Sequence, residues 1–111
     1  MNNPKFQLFK SPADSLFYFR LLAVNGENIL GSEGYATKAV CENGINSVRA
    51  NAPYDHRYER KSNNGHFWFT LKAGNGEIIG KSQMYTTAAA RETGIEAVKQ
   101  DAPSAPTEYL A

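Results

Sequence analysis

At 111 residues, with 41% of them apolar and 21% charged, the chain has the make-up of one ordinary folded domain, or of two half-sized units sharing a core. Twelve Lys and Arg against eleven Asp and Glu leave a net charge of +1, with no polybasic tail and no acidic block, so bulk charge points to neither nucleic acid nor membrane. No stretch of 18 apolar residues could span a bilayer. The opening Met1-Asn2-Asn3-Pro4-Lys5 lacks the pattern of a secretory signal, and the single Cys41 cannot form an internal disulfide. A cytoplasmic protein without membrane contact, metal or cofactor is therefore expected.

In chain order, residues 5–10 alternate around Phe6 and Leu8 and predict a strand, closed by the turn-forming Ser11-Pro12-Ala13-Asp14. Residues 16–23 alternate again, and Asn25-Gly26 offers the positive φ angles of a tight hairpin, so 27–31 should return antiparallel. Then the apolar period changes from 2 to 3.6. Cys41, Ile45, Val48 and Ala52 share one helical face, with Thr37 as N-cap and Pro53 as stop. Gly44 sits inside this helix, where close packing on a sheet explains it better than a kink or a break.

The same series then repeats. A shift of 50 positions lays Phe17-Tyr18-Phe19-Arg20-Leu21-Leu22-Ala23-Val24-Asn25-Gly26-Glu27 on Phe67-Trp68-Phe69-Thr70-Leu71-Lys72-Ala73-Gly74-Asn75-Gly76-Glu77. The match continues through Tyr35/Tyr85, Thr37/Thr87, Gly44/Gly94, Ile45/Ile95, Val48/Val98 and Pro53/Pro103. Carried back to the first strand, the shift predicts a strand over 55–60, with His56 opposite Phe6. The chain divides into repeat 1 over 4–53, repeat 2 over 54–103, and a tail over 104–111. That tail should fray, or add Thr107–Leu110 as a short edge strand.

Phe17, Phe19, Leu21 and Ala23 are identical to their partners 50 residues later, and alternation places them on one face of the sheet, the face under the helices. The other face carries Tyr18, Arg20 and Leu22 in one copy, and Trp68, Thr70 and Lys72 in the other. It differs between copies, so shared packing does not dictate it.

The pattern Phe-x-Phe-x-Leu-x-Ala-x-Asn-Gly-Glu, then Ser-x-x-Tyr, then Gly-Ile-x-x-Val-x-x-x-Ala, found twice over 5–103, resembles the YegP-like family of small bacterial proteins of uncharacterised function. The resemblance implies an α+β fold: two tandem β-β-β-α repeats in pseudo-two-fold relation, sharing one antiparallel sheet with both helices packed on one face. It implies that single-repeat members assemble as homodimers, and that a tandem chain like this one is a fused dimer and a monomer. It brings no activity, cofactor or catalytic residue.

Several residues could carry chemistry and do not combine into a site. The glycines form no phosphate-cradling run. Cys41 lies on an apolar helix face opposite Arg91 and reads as a small buried hydrophobe rather than a nucleophile. His56 and His66 would approach each other if 55–60 pairs with 66–73, but they lack the further ligands of a zinc site. Glu27/Glu77 and Glu42/Glu92, the acids present in both copies, read as solvated turn and helix charges. The better signal is the face carrying Tyr18, Arg20, Trp68 and Lys72, since Tyr, Trp and Arg are enriched where proteins bind partners. The expectation is a non-catalytic binding or interaction module for a protein or peptide. Single-stranded nucleic acid, stacked on aromatics of an open sheet, is the alternative, and a small enzyme comes third.

Overall fold

The computed structural model describes residues 3–110. Where the sequence alternates it forms strands, and where the apolar period lengthens it forms helices. The first half is β1 (Lys5–Lys10), β2 (Phe17–Leu22), β3 (Asn28–Gly31) and α1 (Lys38–Asn51). The second is β4 (Tyr58–Asn63), β5 (His66–Lys72), β6 (Ile78–Lys81) and α2 (Ala88–Asp101), followed by β7 (Thr107–Tyr109). All seven strands form one sheet in the order β4-β5-β6-β3-β2-β1-β7. Each half is an up-and-down meander, and the two meander ends meet where Gly31 pairs with Lys81. The six strands of the halves are antiparallel. The tail supplies the exception: β7 runs parallel to β1, with Phe6 N–H donating to the Pro106 carbonyl at 2.8 Å and Leu110 N–H to that of Leu8 at 2.9 Å. It occupies an edge that would otherwise leave those groups unpaired.

The first hairpin departs from the simple 50-residue shift. In the first half Lys10 pairs with Phe17, leaving a loop over 11–16, whereas Asn63 pairs with His66 across a two-residue turn. Asn64 and Gly65 take φ of 50° and 77°, the two positive angles of the tightest hairpin. β4 therefore begins at Tyr58 instead of residue 55, and Asp55–Arg57 forms a 3-10 turn. Tyr58, not His56, is the counterpart of Phe6, since they pair with Leu71 and Leu21 respectively. Removing an even number of residues keeps every side chain on its face, so the shorter hairpin costs the core nothing.

The Asn-Gly turns after β2 and β5 also differ in detail from the expectation. Only the glycines have positive φ, at 85° for Gly26 and 88° for Gly76. Ala23 N–H donates to the Glu27 carbonyl and Gly26 N–H to that of Ala23, the pattern of a three-residue loop with a bulged glycine. Asn25 Oδ1 accepts from Glu27 N–H at 3.0 Å, and Asn75 does the same for Glu77.

Both helices run unbroken through their glycines. Thr37 Oγ1 accepts from Val40 N–H at 3.1 Å, and Thr87 Oγ1 from Ala90 N–H at 3.0 Å, capping otherwise unpaired donors. A Cβ on Gly44 would lie 2.7 Å from the Tyr35 hydroxyl, and one on Gly94 would lie 2.8 Å from Tyr85 Cζ. The glycines let each helix settle against a tyrosine that stacks on the sheet. Tyr35 lies over Phe19 and Tyr85 over Phe69, with centroids 6.3 and 6.5 Å apart. Beneath them Phe6, Phe19, Leu21, Phe69 and Leu71 are buried together with Ile45, Val48, Ile95 and Val98. Each helix bridges the halves, α1 lying on β2 and β6 and α2 on β5 and β3. Among the described residues, no helix is long and apolar enough to cross a membrane.

Candidate functional site: the open sheet face

With both helices on one side, the residues that alternate with the core strand positions face the other way. From the first half these are Gln7 and Phe9 of β1, and Tyr18 and Arg20 of β2, because Phe6, Leu8, Phe19 and Leu21 point inward. Phe9 and Tyr18 are opposite each other across the strands and stack, with centroids 6.0 Å apart and planes 19° from parallel. The Arg20 guanidinium lies 4.7 Å from the Phe9 centroid and donates through Nε to Gln7 Oε1 at 2.8 Å. The 11–16 loop closes this group, for the Tyr18 hydroxyl donates to Asp14 at 2.5 Å. That bond holds the Asp14 carboxyl below its ordinary range and raises the phenol.

The second half presents a different surface on the same backbone. Trp68 is half-buried and faces Lys61 across the strands. With Asn63, His66 and Met84 it lines a shallow depression at the end of the hairpin. Thr70, opposite Glu59, is buried under longer neighbours and donates to Glu59 Oε1 at 3.2 Å. Glu59 also pairs with Lys72 at 3.0 Å and with Lys61 at 3.8 Å, and the bond from Lys72 holds its carboxyl below the usual range. Lys81 lies opposite Thr70 at the seam between the halves.

The structure thus places Tyr18 and Arg20 in one cluster with Phe9, and Trp68 and Lys72 at separate points of a second cluster organised by Glu59. Cations on this face (Lys5, Arg20, Lys61, Lys72, Lys81) outnumber its carboxylates, Glu59 and Glu108 with Asp14 of the adjoining loop. Glu108 is taken by Lys5 at 3.1 Å. Arg20 and Lys81 have no carboxylate within salt-bridge distance among the described residues. Phe9, Glu59 and Lys61 escaped the sequence reading. Phe9 was visible as an aromatic out of phase with Phe6 and Leu8; the partners of β4 were hidden because the repeat shift is wrong by two residues there.

The other candidates do not converge. Cys41 is fully buried, and burial pushes its thiol up to about 11. His56 sits in the 3-10 turn beside the Tyr54 ring, while His66 pairs with Asn63, so the hairpin does not bring the two histidines together. Glu92 pairs with Arg60 at 2.8 Å and with Arg91 at 3.1 Å. Arg91, which replaces Cys41, lies over the Phe67 ring and donates to the Lys61 carbonyl at 3.0 Å. No group of three His, Cys, Asp or Glu among the described residues could hold a metal ion.

Comparison with known proteins fits this architecture. A family model described as a domain of unknown function, DUF1508, matches residues 13–59 and again 62–108. The UPF0339 protein YegP of Escherichia coli O157:H7 is 57% identical over 57 residues, covering 51% of this chain and 51% of that protein. The matched segment of this chain thus spans about half the length of that curated relative. A UPF0339 protein of Treponema denticola is 51% identical over 49 residues, which are 44% of this chain but 83% of that relative, so the relative is about one repeat long. The solution NMR structure of the protein of unknown function YegP from E. coli superposes with a TM-score of 0.90 at 50% identity, covering 98% of this chain and 94% of the other.

Proposed function

This chain belongs to the DUF1508 family, and from that premise we propose that it is a non-catalytic binding module that takes an acidic peptide segment across its open sheet face. The observation that carries the reading is the excess of cations on that face around three accessible ring systems, Phe9, Tyr18 and Trp68. Arg20 and Lys81, which have no carboxylate partner among the described residues, flank the seam between the halves and would meet acidic side chains. The rings supply apolar contact at little conformational cost, as aromatics do in interface centres. The family carries no enzymatic name, and the carboxylates Glu59 and Glu108 of this face are tied into ion pairs with lysines rather than gathered around a reaction centre. The cytoplasm is the compartment that a free thiol and an unbridged chain suit best.

The test is binding of a labelled poly-glutamate peptide containing aromatic residues, followed by fluorescence anisotropy. Trp68→Ala and Arg20→Ala/Lys81→Ala should each weaken binding about tenfold, equivalent to about 1.4 kcal/mol, with unchanged circular dichroism. Equal binding by the variants would refute the reading. Tight, steeply salt-dependent capture of single-stranded oligonucleotide in place of the peptide would move the face to the nucleic-acid class.

A further inference from the structure

On the opposite side of the sheet, a cleft of about 360 Å³ opens between the two halves. One wall is the turn after β2, with Asn25, Glu27 and Ile29; the other is Tyr85 with the Thr93 and Ala97 face of α2. It is thus built from both repeats, and neither half has it alone. Three observations make it more than a gap in packing. First, Glu27 is exposed and has no salt-bridge partner among the described residues, although the turn needs only the asparagine and glycine before it. Second, the Tyr85 hydroxyl is buried and has no hydrogen-bond partner. A buried hydroxyl left unpaired costs roughly 1–3 kcal/mol, so such a group is expected to have a partner. Third, Asn25, Glu27, Ile29 and Tyr85 all belong to the set kept identical in both copies, as Asn75, Glu77, Ile79 and Tyr35. Core packing accounts for the isoleucines and turn geometry for the asparagines, but neither accounts for an exposed glutamate.

We propose that this inter-repeat cleft binds a primary alkylammonium group, its stem lying on Ile29 and Ala97, its charge on Glu27, and one N–H donated to the Tyr85 hydroxyl oxygen. The walls fit that chemistry in detail. Ile29 is almost fully buried and offers an apolar floor, while the short side chain of Ala97 on α2 keeps the cleft open. Among the described residues, the lining of the cleft has a carboxylate and no cation, so it selects a positive head over a neutral or negative one. The same chemistry could arrive as a free amine or as a lysine side chain of another protein.

The experiment is a ¹⁵N NMR titration of the full chain with n-butylammonium chloride, with Nα-acetyl-lysine N-methylamide, and with n-butanol as the neutral control. Saturable shifts confined to 25–29, Tyr85 and 93–97 are expected with one or both ammonium probes at millimolar concentration, and none with butanol. Response to the free amine alone assigns a free-amine ligand, and response to the lysine derivative assigns a protein side chain. Glu27→Gln should weaken binding about fivefold or more. Ala97→Leu should abolish it by filling the cleft; should that variant unfold, Thr93→Leu serves instead. Absence of saturable shifts with both ammonium probes, equal response to butanol, or full binding by Glu27→Gln would overturn the proposal. Trp68→Ala, on the other side of the sheet, leaves this titration unchanged, so the cleft and the open face succeed or fail separately.

Discussion

The two halves have the same inward face and different outward ones. Under the helices, Phe19 and Phe69 have the same neighbours: a tyrosine stacked on top, a helix glycine above it, and a serine accepting from the phenylalanine N–H at 2.9 Å, Ser32 in one half and Ser82 in the other. On the open side one half shows two stacked rings with a guanidinium on top, and the other shows a tryptophan beside a glutamate held by two lysines. The core needs particular shapes at fixed points, whereas the open face needs only to stay soluble and keep its strands paired. Divergence is thus cheap where packing is absent, and that side is where the halves can acquire separate roles.

The strongest way to break this comparison is to mutate the inward face. Phe19→Ala and Phe69→Ala should each cost about 3–5 kcal/mol and by similar amounts, measured by urea unfolding. A large inequality would mean that the halves do not share one core. The helix glycines sharpen the point at lower cost. On propensity alone Gly44→Ala and Gly94→Ala would stabilise by about 1 kcal/mol. The 2.7–2.8 Å approach to Tyr35 and Tyr85 reverses the sign, so each should destabilise by about 1–3 kcal/mol. Truncating the tyrosine in the same chain should then relieve the glycine variant, as a double-mutant cycle would register.

The smallest expected effect lies where the halves solve one problem by different chemistry. Equivalent helix positions fasten the segment that follows the other helix. Arg49 of α1 donates to the Ala105 carbonyl at 2.7 Å and to Thr107 Oγ1 at 2.9 Å, whereas Lys99 of α2 pairs with Asp55 at 2.7 Å. Asp55 also accepts from Arg60 at 2.8 Å, and these bonds, Arg60 first and then Lys99, hold its carboxyl at about 2. A carboxyl depressed on folding stabilises the native state above its unfolded pKa, near 3.8, and loses that contribution as pH falls toward 2. The urea midpoints of the parent and of Asp55→Asn should therefore differ modestly at pH 5 and converge by pH 2. A gap unchanged over that range would show that the clamp on this side, like the arginine-to-carbonyl one, does not depend on ionised Asp55.

Much of this was legible in the sequence because the chain writes its pattern twice. The alternation at Phe17–Leu21, the helix face at Ile45 and Val48, the caps Thr37 and Thr87 and the closeness implied by Gly44 and Gly94 all follow from local rules that packing reinforces. What could not be read was register between segments separated by a loop. Whether His56 or Tyr58 faces Leu71 depends on the number of residues in a turn, and alternation is satisfied by both. The same blindness hid Lys61 and Glu59 from the open face. It also hid the cleft, whose walls lie far apart in the sequence and meet only when α2 crosses onto the turn of the other half.

Those clamps have a further consequence. The matched family units, 13–59 and 62–108, end inside β4, which lies beside β5, and inside β7, which lies beside β1. The segment that follows each helix therefore pairs in the other half of the sheet, and the opposite helix fastens it, Lys99 holding the segment after α1 and Arg49 the segment after α2. Neither half can melt without stripping an edge and a fastening from its partner. The tandem should therefore unfold in a single concerted step, with no population in which one repeat survives alone.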